Sequence, residues 1–70
     1  MRTPIHARGF TFFPKAGRFD GRWQGVLHIL EADKDLVRHR CVLPRATEFA
    51  ALMDARSEAL SLATSLRHFS

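Results

Sequence analysis

All four glycines and all three prolines of this 70-residue chain fall in its first 44 residues, at Gly9, Gly17, Gly21, Gly25, Pro4, Pro14 and Pro44. From Arg45 to Ser70 nothing interrupts a helix. Glycine supplies the positive φ that tight turns need, and proline removes a backbone donor from any helix or ladder it enters. The chain therefore divides into a punctuated part, readable as short strands and turns, and an unbroken part, readable as one long helix.

Within the punctuated part, residues 1–9 carry Pro4 and Gly9 and read as a frayed lead-in to a single domain. Phe10-Thr11-Phe12-Phe13 is aromatic and β-prone, and Pro14 ends it or places it at an edge. Lys15 to Gly21 reads as a turn, with Asp20-Gly21 its strongest signal. Arg22 to Leu30 is the most convincing strand, Glu31 to Asp35 a second hairpin loop, and Leu36 to Leu43 a third strand closed by Pro44. Thr47 suits a helix N-cap because its hydroxyl accepts from a free first-turn amide, and Glu48 suits the positive end of the dipole. The expectation is an α+β domain: a three-stranded antiparallel meander over 10–43 and one C-terminal helix over 46–68 packed on one face (β-β-β-α).

Parity sorts the side chains, because successive residues of a strand point to opposite faces. The register that unites the apolar sets puts Phe10, Phe12, Leu27, Ile29, Val37, Cys41 and Leu43 beneath the helix. The opposite face then presents Arg22, Gln24, His28, Arg38 and Arg40 around Phe13, Val26 and Leu30. On the helix, about 100° per residue spreads Phe49, Leu52, Met53, Ala55, Ala59, Leu60, Leu62, Ala63, Leu66 and Phe69 over roughly 200°. One sheet occupies an apolar stripe of only about 100°. The surplus flank, Ala55, Leu62 and Phe69, predicts self-association, and a second copy of the chain is its economical cover. A homo-oligomer, with a dimer favoured, is expected.

Charge is uneven. Residues 1–45 hold nine Lys/Arg against four Asp/Glu, and residues 46–70 hold two against three. Such asymmetry marks a surface for nucleic acid or another anion. Arginine outnumbers lysine nine to two, and Asn and Tyr are absent, which GC-rich codon usage also produces. The open face, with Arg22, His28, Arg38 and Arg40 near Phe13 and Phe19, has the residue types for phosphate contact and base stacking. It carries no Gly-x-x-Gly clamp, no helix-turn-helix and no paired aromatics in the central strand.

Other chemistry is poorly supplied. One cysteine, Cys41, forms no internal disulfide, and no apolar run of signal-peptide length follows Met1-Arg2-Thr3-Pro4, so a reducing cytoplasm is expected. No apolar stretch is long enough to span a bilayer as a helix. His39 and Cys41 sit two apart on one strand, a spacing that supplies two zinc ligands, but the sequence offers no second close pair. Ser57, Ser61, Ser65 and Ser70 read as solvated helix surface. Gly17 to Gly21 lacks the Lys and Ser/Thr of a phosphate-binding loop. No catalytic residue, metal, cofactor or small-molecule substrate is expected, and the protein reads as non-enzymatic.

The Asp20-Gly21-Arg22-Trp23 turn and strand, with the Thr47-initiated helix carrying Ala51, Ala55, Ala59 and Ala63, resembles a group of small uncharacterised proteobacterial proteins. That likeness runs over about residues 8–68 and implies the β-β-β-α fold and a bacterial cytoplasmic origin, with no activity attached. The group commonly has an acidic pair after the helix-starting Thr, where this chain has Glu48 alone. The strand–strand–strand–helix order is also similar to the C-terminal part of double-stranded-RNA-binding domains, whose first helix and basic helix N-terminus have no counterpart here. The reading is a self-associating binding or accessory module, with sequence-tolerant nucleic-acid binding through the basic sheet face as the alternative.

Overall fold

Asp20 and Gly21 both take positive φ, 50° and 77°, and so do Arg8 and Gly9, at 51° and 82°. Two central residues of positive φ make the type I′ turn, whose twist matches that of the strands it joins. In the computed structural model, which describes residues 4–32 and 34–68, these turns join β1 (Ile5–Ala7), β2 (Phe10–Phe19) and β3 (Arg22–Glu31). A third reversal, at Ala32 (φ 50°), leads into β4 (Lys34–Arg40). The four strands form one antiparallel sheet in chain order, and α1 (Glu48–His68) follows.

The α+β class, the antiparallel sheet and the single C-terminal helix agree with expectation, but the sheet has four strands rather than three. Residues 5–7, expected to be part of a lead-in, pair with Phe10, Thr11 and Phe12. A three-residue strand is too short for alternation to show in sequence. The segment from Lys15 is not a long turn either: β2 continues to Phe19, opposite Arg22. Pro14 is tolerated because β1 accompanies β2 only as far as Phe12, leaving the outer edge at Pro14 without a ladder to break.

The helix begins as its sequence dictates. Thr47 Oγ1 accepts from the Ala50 amide at 3.2 Å, satisfying one of the orphan first-turn donors. Its buried side is a row of alanines, Ala51, Ala55, Ala59 and Ala63, none more than 1% exposed. They lie against Gly25, Leu27, Phe12 and Ala7, with Ile5, Phe10, Ile29 and Leu66 at the margin. A row of residues four apart drifts about 40° per step around the helix, so the contact line crosses the helix obliquely. That drift explains why Phe49 and Leu60, both on the apolar arc, are exposed.

Leu43, expected beneath the helix, is 56% exposed. The Cys41 amide donates to Gly25 O at 2.8 Å, and Trp23 and Arg45 then exchange both backbone bonds at 2.9 and 2.6 Å. Residues 42–44 thus stand opposite Gln24 alone and bulge outward, held by Gln24 Nε2 donating to Cys41 O at 2.9 Å. Val37 pairs with Ile29, and the ladder shifts between Ile29 and Leu30; the side chains of Leu36 and Val37 lie outside the described set. Among the described residues no helix is long and apolar enough to cross a membrane.

Candidate functional site

The helix covers one face of the sheet and leaves the other bare. Register organises the bare face into rungs. Lys15, Val26 and Arg40 stand directly across from one another, and so do Phe13, His28 and Arg38. A third rung is Thr11, Leu30 and Asp35, with His6 on the β1 side.

Arg40 and His28 each have a local reason for their place on these rungs. Gly17 leaves room on β2 that the Phe19 ring fills: a Cβ at Gly17 would meet that ring at 2.9 Å and Val26 at 3.4 Å. The Arg40 guanidinium lies over the same ring, 4.6 Å from its centroid, a cation–π geometry. His28 Nε2 is 2.8 Å from Asp35 Oδ1, and its ring lies 6.4 Å from that of Phe13, tilted by 43°. His28 is largely buried, whereas Asp35 is exposed. Where β1 stops, the β2 edge opens into a notch of about 210 Å³ lined by Phe13, Pro14, Lys15 and Ala16.

Of the residues expected on this face, His28, Arg38 and Arg40 come together on neighbouring rungs. Arg22 shares the face but sits opposite Phe19, two rungs beyond Val26. Lys15 belongs to the site and was not expected there, because its segment reads as a turn. The signal was present in the alternation Phe13, Lys15, Gly17, Phe19 ahead of a two-residue Asp-Gly reversal. On the helix, Ala55 is not on a free flank: it is fully buried against Gly25. Leu62 is 38% exposed, and Phe69 lies outside the described residues.

Carboxylates are used on the other side. Arg45 grips Asp54 with both Nε and Nη2, at 2.7 and 3.0 Å, and this hydrogen-bonded partner raises the guanidinium pKa further. His39 Nε2 is 3.0 Å from Glu58 Oε1, and the Cys41 thiol is 3.9 Å from Glu58 Oε2. Burial first, then the negative charges of Glu58 and Asp54, push the Cys41 thiol above its ordinary value. A nucleophilic cysteine needs the opposite setting, electropositive and partly open. Among the described residues no group of three or more His, Cys, Asp and Glu is placed to hold a metal ion.

The outcome is a separation of charge between the two faces. Asp54 and Glu58 are paired beside the helix, while Lys15, Arg22 and Arg38 have no ion-pair partner among the described residues. Asp35, bonded to His28, is the one carboxylate on the strands' bare face among those residues. Compared with known proteins, the chain matches no family model, no curated protein and no solved structure.

Proposed function

We propose that the protein is a non-catalytic binding module whose bare sheet face takes nucleic acid, contacting phosphates and tolerating any base sequence. The observation that carries this reading is the set of unpaired cations, Lys15 and Arg38 with Arg40 beside them, on adjacent rungs of one uncovered face. Cations released from competing carboxylates exchange mobile counterions for fixed phosphates, and the entropy of those counterions drives association. Half-buried Phe13 and Val26 between the cations add apolar contact. A cytoplasmic setting suits the lone thiol, which stays reduced there.

Titrating labelled oligonucleotides at low salt and at roughly 150 mM tests the reading. Binding is expected to weaken steeply with salt, and the joint change Arg38→Ala and Arg40→Ala to lower the salt slope by about two. Tight binding that survives this double change would show that another surface is responsible.

Self-association is a second reading, favoured by Val42 and Phe49, which are 85% and 71% exposed around the β4–α1 connection. A second copy is the occupant we propose for these side chains. Sedimentation equilibrium at high micromolar concentration is expected to show dimer for the natural chain and monomer for Phe49→Ser. A monomer throughout would remove this reading.

A further inference from the structure

We infer that the bare face binds its nucleic acid as an extended single strand laid across the sheet, with phosphates over the Lys15–Arg40 rung and a base stacked on Phe13 in the notch at the β2 edge. This rests on the nucleic-acid reading above and specifies the form of the ligand.

Geometry carries it. Lys15 and Arg40 flank Val26 on one rung, two strand spacings or about 9.6 Å apart. Long Lys and Arg side chains at that separation reach successive phosphates of an extended strand. The neighbouring rung, about 6.8 Å along the strands, carries Phe13 and His28 with Arg38 at its end. A backbone on the first rung therefore directs its bases onto the second.

The two aromatic rings on this face have different tasks. Phe19 is already engaged, with its ring edge packed at Gly17 and the Arg40 guanidinium over the ring, and serves to position Arg40. Phe13 is not capped in this way. Its ring borders the notch, whose volume of about 210 Å³ takes the edge of one nucleobase, and Lys15 lines the same opening. Asp35 anchors the His28 ring beside it. Stacking of this kind needs bases free of their partners, which a duplex does not offer, and the face presents no helix to enter a groove.

The test is fluorescence anisotropy of the full chain with labelled oligothymidine and oligouridine of about eight nucleotides, alongside a hairpin duplex of similar length. The single strands are expected to bind at least about tenfold more tightly than the duplex. Phe13→Leu keeps the apolar bulk but removes the stacking face, and is expected to weaken single-strand binding about tenfold while leaving the salt slope unchanged. Lys15→Ala is expected to lower that slope by about one. In the unsubstituted protein, the Phe13 ring protons are expected to move upfield on binding, a readout independent of how the variant folds.

Duplex preference, or a Phe13 ring whose resonances stay still while the single strand binds, would overturn the single-strand geometry and leave the broader reading standing. No binding of any of the three probes at low salt would overturn both. Thymidine and uridine strands bound alike would support a contact to backbone and base face.

Discussion

Gly25 and Cys41 are neighbours whose roles are invisible in the residues taken singly. A Cβ at Gly25 would stand 2.6 Å from Ala51 O, 2.9 Å from Ala55 N and 3.1 Å from Cys41 Sγ. Two of those three contacts are helix backbone, which cannot swing aside. Gly25→Ala is therefore expected to lift the helix and cost about 2–3 kcal/mol in urea unfolding. Gly17→Ala is the milder control, because the atoms it meets include the far end of the Phe19 ring. Cys41 gives a pH effect of definite sign. Its folded pKa is raised above 9.0, so its contribution to stability is complete below pH 9 and is lost as pH climbs towards the folded value. The chain has no Tyr and no second Cys, so no other phenol or thiol ionises in that window. The urea midpoint is expected to fall from pH 8 to pH 10 in the natural protein and to fall less in Cys41→Ala.

Elements were legible where local chemistry alone decides them. Thr47 caps the helix one residue before Glu48, and Thr47→Ala is expected to cost about 1 kcal/mol, read from thermal unfolding by circular dichroism. Asp20-Gly21 turns the chain as that dipeptide dictates, yet its two-residue reach also extends β2 back through Lys15, which a reading of residues 15–21 as one loop hides. β1 was not legible because three residues carry no periodicity, and Arg8-Gly9 is a weaker turn signal than Asp-Gly. The helix face was half legible. Ala59 and Ala63 stand where a close approach to the sheet requires small residues, but the oblique contact line takes Ala55, read as part of the uncovered flank, inward. Crossing angle is a property of two packed surfaces, and one helix's residue spacing does not contain it.

The bare face was legible as a set of residues and not as an arrangement. Parity placed His28, Arg38 and Arg40 together, whereas the rungs that align Lys15 with Arg40 and Phe13 with His28 depend on β2 running its full length. The core joins the chain's distant parts in a way that bears on its synthesis. Ala7, from the first strand, packs in one cluster with Phe12, Leu27, Ala59 and Ala63. Every strand pairs only with its neighbour in sequence, so the sheet can assemble as the chain emerges from the ribosome. Its cover arrives only after all four strands. A chain ended after Glu58 retains all four strands but lacks Ala59 and Ala63. It is expected to bind a dye specific for exposed apolar surface and to associate through Phe12 and Leu27. An equally soluble, dye-negative truncation would show the sheet to be self-sufficient. Until the second half of the helix docks, the apolar face of the nascent sheet stays uncovered.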